Sequence, residues 1–207
     1  MKKSRKIDKF VQELQDSRDP VDKVVHHQVI PSRKQVIRDP STSFPFEISS
    51  LLIDLSVSGL YSHQAEAVDS IRQGENVVVA TPTASGKTFI YVLPVLEKIL
   101  HKPSSRNLFI FPLKALAQDQ LRNYRQLLQK MGMDEYAADI YDGDTPQHKR
   151  NKIRANPPNM LLTNPEMLHL GILPYHHNWH EFLSNLDHII VDEVHTYRGI
   201  MGSNMAW

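Results

Sequence analysis

Five short, nearly continuous apolar runs recur along the chain: NVVVA (76–80), NLFIF (107–111), ADIY (138–141), MLLT (160–163) and HIIV (188–191). A strand that is apolar at nearly every position has to be covered on both faces, which is the situation of a parallel sheet sandwiched between helices. The stretches between the runs support that reading. Helical segments are predicted near 62–72, 86–100, 115–131 and 181–186, with Pro94 expected to kink or break the second. Alternation of this kind predicts an α/β fold with a mostly parallel, doubly wound sheet, whose ligands bind outside the carboxyl ends of the strands. Any chemistry is therefore expected at residues that follow the five runs.

At 207 residues, with 41% hydrophobic and 23% charged residues, the chain suits one soluble domain plus an extension. The extension is residues 1–45, basic at its start (Lys2, Lys3, Arg5, Lys6, Lys9) and punctuated by Pro20, Pro31, Pro40 and Pro45, with one short helix expected over 7–14. The α/β domain is 46–207. A net charge of +1 means that a nucleic-acid partner would be met by local patches and backbone amides rather than by a global basic field. The absence of cysteine excludes disulfides and thiolate metal sites. No apolar h-region follows the basic start and no window approaches ~18 apolar residues, so a cytoplasmic chain without a membrane segment is the expectation.

The first run continues into VATPTASGKT (79–88). Glycine, lysine and threonine at a strand's end suit a phosphate-binding loop: Thr83, Ala84, Ser85 and Gly86 wrap backbone amides around the phosphates, Lys87 reaches the β/γ-phosphates, and Thr88 holds Mg²⁺. Only the GKT half matches the strict pattern, since Thr81 stands at its first position, and alone it is also compatible with an ordinary strand-to-helix turn. The last run decides in favour of the loop. It delivers Asp192 and Glu193 to a strand's end, where Asp192 can hold Mg²⁺ and Glu193 can orient and deprotonate an attacking water. Consecutive side chains of an extended chain point to opposite sides, so the two acids can take different tasks.

TPTASGKT (81–88) and DEVH (192–195) resemble motifs I and II of the superfamily 2 helicases of the DExH style. Between and before them, LYSHQ (60–64) resembles a Q motif, FPLKALAQDQ (111–120) motif Ia, YDGDT (141–145) the glycine-containing nucleic-acid loop, and TNPEML (163–168) motif Ib. FPLKALAQDQ, TNPEMLH and DEVHTYRG look most like the MrfA (YprA)/Hrq1 group of DNA helicases. The resemblance implies the first RecA-like domain of an ATP-dependent helicase that uses ATP and Mg²⁺ and moves 3′ to 5′ on DNA, with a role in DNA repair. It implies that Gln64 reads the adenine edge, that Tyr61 stacks on the ring, and that His195 couples the nucleotide site to the nucleic-acid surface. It also implies that Lys114, Gly143, Asp144, Thr163 and Asn164 grip the nucleic-acid backbone without reading bases.

The same resemblance implies a second RecA-like half in cis, carrying motif III and an arginine finger, so that these residues alone are expected to bind nucleotide weakly and hydrolyse little. A different class stays open: a nucleic-acid-binding or interaction module of the same fold without ATP turnover. A small-molecule P-loop kinase is disfavoured, because it would need no ordered Ia, Ib and glycine-loop motifs. In YHHNWH (175–180), His176 and His180 stand at i and i+4, but with no acid beside them they read as surface histidines next to a packed Trp179.

Overall fold

The computed structural model describes residues 4–16, 26, 28, 36–81, 86–133, 137–199 and 202–203. The chain forms two units, Met1–Gln35 and Val36–Trp207. Residues 36–45, placed with the extension by their proline content, belong to the second. In the first unit a single described helix, α1 (Ser4–Asp16), covers the expected short helix and is longer at both ends.

In the second unit, residues 36–44 are fastened to the domain by ordinary backbone and side-chain bonds. Ile37 bridges Tyr61, Ser41 N donates to Asp69 at 3.0 Å, and Arg72 donates to the Thr42 carbonyl while its guanidinium lies 4.6 Å over the Phe44 ring. Helix α2 (Phe46–Asp54) follows and buries Ile48 and Leu51. Next come α3 (Ser62–Arg72) and α4 (Lys87–His101). Pro94 lies inside α4 without ending it. The hydrogen bond that its missing N–H forfeits is offset by the burial of Val92, Leu93, Val95, Leu96 and Ile99 around it.

Strands β1 (Arg106–Ile110), β2 (Ala138–Ile140), β3 (Met160–Thr163) and β4 (Leu186–Val191) form one parallel sheet in the order β2-β3-β1-β4. Their side chains alternate between two cores. Phe109, Met160, Leu162, Ala138 and Ile140 pack with α2, α3, α4 and α5 (Lys114–Lys130). Leu108, Ile110, Leu161 and Tyr141 pack on the opposite face with α6 (Gln147–Ala155) and with Ile172, Trp179 and Phe182. Between β3 and β4 the chain runs through α7 (Pro165–Met167), a π-helical turn Leu168–Ile172, a kinked 3-10 stretch Leu173–Trp179 and α8 (His180–Ser184).

The run 76–80 departs from expectation. It is extended in sequence character but is no strand here; Val78 is 92% exposed, and no described residue pairs with it in a sheet. An apolar run becomes a strand only where a neighbouring ladder accepts its backbone. The outer edge of β4 is likewise unpaired among the described residues, leaving Ile189 59% exposed. Here His188 stands against Asn107, with its Nδ1 2.7 Å from the amide oxygen. Burial holds the His188 imidazole below its usual pKa, helped by Lys98 and opposed by Asp187. A depressed histidine pKa favours the neutral ring in the fold. Stability should therefore be lost as pH falls from about 6.5, the unfolded value, toward the folded one. Urea denaturation of wild type and His188→Gln between neutral and mildly acid pH checks this, since the variant should lack that component.

Candidate functional site: the carboxyl ends of the sheet

The P-loop's last glycine is built for its position. Gly86 adopts φ +73° at the N-terminus of α4, and a Cβ there would lie 2.5 Å from Gln64 Nε2. Glycine is thus required by backbone hand and by space. Gln64 is buried and ties two elements together. Its Oε1 accepts from Tyr61 N and its Nε2 donates to the Gly86 carbonyl, each at 2.8 Å. The side chain expected to read adenine thus also joins the start of α3 to the phosphate loop. Tyr61 stacks on His63 at 5.8 Å. Lys87 and Thr88 open α4, where α-helix N-terminal amides face outward. Thr83, Ala84 and Ser85 lie outside the described residues.

β4 places Asp192 one residue beyond its end, with Asp192 N donating to the Ile110 carbonyl at 3.0 Å. Burial pushes the Asp192 carboxyl above the usual carboxylate range, and the Glu193 charge adds to this; the Glu193 backbone N–H and the Lys87 ammonium oppose it. Glu193 is not extended. It sits at φ +49°, ψ 43°, a left-handed conformation uncommon for a residue with a side chain. The two acids are therefore separated by a backbone turn, not by strand alternation. Its carbonyl accepts from Thr196 N and Thr196 Oγ1, each at 2.8 Å, which offsets the cost of that conformation. His195 Nδ1 lies 3.3 Å from Glu193 Oε2.

Three tyrosines absent from the sequence-based site surround this centre. Burial raises the phenol pKa of Tyr91, and the charges of Asp192 and Glu193 add to this. Burial also raises Tyr124 well above the usual range, and burial with the Asp192 charge pushes Tyr197 up to about 12. All three phenols are held neutral, and Tyr91 and Tyr197 lie close enough to feel the Asp192 charge. Periodicity marks Tyr91 and Tyr124 as core residues but says nothing of what they face.

The residues that the resemblance assigns to nucleic acid fall at the ends of β1, β2 and β3. Lys114, at the start of α5, donates to Asp144 Oδ2 at 2.8 Å, and that hydrogen bond raises its pKa. A Cβ on Gly143 would meet Lys114 Nζ at 3.5 Å, so Lys114, Gly143 and Asp144 form one exposed cluster. Asn164 Oδ1 accepts from Met167 N and starts α7. Thr163 is different: it is buried, and its hydroxyl donates to the Tyr141 carbonyl at 2.7 Å. That bond ties the end of β3 to the residue that follows β2. His176 and His180 are exposed, and no group of three metal-ligating side chains occurs among the described residues. Nor does any described helix have the length and apolarity to cross a membrane.

A parallel sheet with a glycine–lysine–threonine loop opening one helix and an Asp-Glu pair beyond a neighbouring strand defines a P-loop nucleotide-binding domain of the RecA-like kind. Residues 61–206 match the DEAD/DEAH box helicase family, and the chain belongs to it. It is similar to the uncharacterized ATP-dependent helicase YprA of Bacillus subtilis, at 42% identity over 88% of this chain and 24% of that protein. It is also similar to the ATP-dependent helicase HRQ1 of Saccharomyces cerevisiae, at 39% identity over 97% of this chain and 18% of that one. The crystal structure of the DUF1998 helicase MrfA bound to DNA and AMPPNP superposes with a TM-score of 0.86 and 39% identity, over 95% of this chain and 27% of that chain. The fold is accordingly the first RecA-like domain of the MrfA/Hrq1 group. The chain spans about a quarter or less of the length of these curated relatives.

Proposed function

We propose that this chain is the nucleotide-binding motor domain of an ATP-dependent helicase or translocase acting on DNA in the cytoplasm, with 3′ to 5′ movement and a role in repair. The observation that carries the reading is the placement of Asp192 and Glu193 just beyond the carboxyl end of β4, with Gly86, Lys87 and Thr88 opening α4, and of an exposed Lys114–Gly143–Asp144 cluster beyond the ends of β1 and β2 at the same end of the parallel sheet. That MrfA has been crystallised with DNA and a nucleotide analogue supports both ligands. The donor set fits ATP and Mg²⁺: an ammonium and helix-start amides for phosphates, a hydroxyl and a carboxylate for the cation.

When bound, Mg²⁺ neutralises charge on the phosphates. Gly86 and Lys87 hold the phosphate end in place, Thr88 and Asp192 provide oxygen ligands, Gln64 lies beside the loop for the adenine edge, and Glu193 accepts a proton from water at its carboxylate. Lys114, Gly143, Asp144 and Asn164 grip the DNA backbone, while His195, in contact with Glu193, relates the two surfaces. A second RecA-like half in the intact protein would close over the nucleotide and exclude water. Lys87→Ala should weaken ATP-Mg²⁺ binding about ten- to a hundredfold, from loss of a charge-assisted contact of roughly 1.5–3 kcal/mol, with the fold intact. Calorimetric titration giving equal affinities for wild type and variant would overturn the assignment.

A further inference from the structure

On the face of the sheet opposite α4 and α5, α6 and the π-helical turn enclose a groove of about 260 Å³. Its floor is Tyr141, its walls include Arg150, Arg154 and Gly171, and Leu170 and Tyr175 stand at its mouth. That volume lies just under the ~300–1,000 Å³ usual for drug-sized ligands, room for a single planar ring. Leu170 is 57% and Tyr175 52% exposed, so the mouth is apolar and open. The chain kinks at Tyr175 (φ −112°, ψ 29°), between the buried Ile172 and Trp179, and the kink leaves the tyrosine outside the core they form.

Helix α6, beside this groove, carries charge of one sign. Helix α6 reads QHKRNKIRA, with Lys149, Arg150, Lys152 and Arg154 and no acid. Lys149 is neutralised by Asp139 at 2.6 Å. Arg154 donates to Asn151 Oδ1, a neutral acceptor, and keeps its positive charge at the groove. Arg150 connects the groove to the glycine loop: its Nε donates to the Thr145 carbonyl at 2.8 Å and its Nη2 to the carbonyls of Asp142 and Gly143, while its guanidinium lies 5.5 Å over the Tyr141 ring. One side chain thus shapes both the Gly143–Asp144 turn and the groove wall.

We propose that this groove is a nucleic-acid subsite in which one unstacked base of a single strand enters against Tyr175 while its phosphate meets Arg154. The inference rests on the reading of the Gly143–Asp144 cluster as a strand-binding surface, since it extends that surface past Arg150. An aromatic ring beside an uncompensated guanidinium is the combination that holds single strands without regard to sequence, because every base has a face to stack and every nucleotide a phosphate.

The test measures the affinity of the intact protein for a single-stranded oligonucleotide and for one of equal length with abasic positions, across a salt series. Tyr175→Ala should lower affinity for the normal strand about fivefold or more and leave the abasic strand unaffected. Arg154→Gln should weaken both strands and reduce the salt slope by about one. Nucleotide binding should be unchanged in both variants, which reports an intact fold. Loss in Arg154→Gln alone would overturn the base site and leave a phosphate contact. Wild-type binding with no change in either variant would overturn the subsite and assign the groove to a protein surface. Absence of wild-type DNA binding would overturn the strand-binding reading itself.

Discussion

Glu193→Gln in the intact protein should bind ATP-Mg²⁺ nearly as wild type does and hydrolyse it about 10²- to 10⁴-fold more slowly. The amide keeps the shape of the carboxylate but cannot accept a proton from water, and general-base catalysis contributes on that scale. The left-handed conformation of Glu193 strengthens the expectation, because the residue is held at φ +49° by bonds to its own carbonyl from Thr196 and so presents its side chain from a fixed backbone. Asp192→Asn should fail differently, by disturbing the cation and with it nucleotide affinity. Single-turnover hydrolysis set beside equilibrium binding separates the two. Wild-type turnover in Glu193→Gln would show that another group takes the proton.

Trp179→Ala should cost about 3–5 kcal/mol of stability, the range for truncating a large buried aromatic. Trp179 is 1% exposed and meets Tyr141 edge-on at 4.8 Å and Phe182 at 6.0 Å, so its loss opens a void beneath both the glycine loop and α8. For a domain of this size that corresponds to a fall in Tm of roughly 6–20 °C. Thermal denaturation followed by circular dichroism measures it. A shift of only a degree or two would mean that the second core collapses around the gap.

The two-faced burial of β1 and β3 was legible in the sequence, because a parallel strand covered on both sides is apolar at nearly every position, and the buried polar residues Arg106, Asn107 and Thr163 stand at the strand ends. The same logic misled at 76–80: the run has the composition of a strand, but pairing depends on a neighbour that composition cannot supply. Helix α6 was invisible for the opposite reason. Its one buried residue is Ile153, and a helix that buries so little carries almost no apolar period. The order of the motifs placed Lys87, Asp192 and Glu193 at strand ends and helix starts, and the structure has Lys87 opening α4 and the two acids following β4. The turn at Glu193 was not, since a left-handed glutamate is set by the bonds around it and leaves no mark in residue type. Nothing in the sequence marked Gln64 as the tie between α3 and the phosphate loop, which takes both ends of its amide.

The side of β4 that is unpaired among the described residues bears on how the molecule behaves when concentrated. A strand edge with unspent donors and acceptors recruits any extended backbone that reaches it, and natural sheets deter this with lysine, proline or a bulge. The sequence LDHIIV has neither lysine nor proline, its one register irregularity lies at the start of the strand, between Leu186 and His188, and its one acid, Asp187, is engaged by Lys98 and Lys102. Self-association of these residues would therefore proceed through main-chain ladders and respond weakly to ionic strength, so salt would be a poor means of keeping them dispersed. A short β-strand peptide that occupies the edge would be a good one.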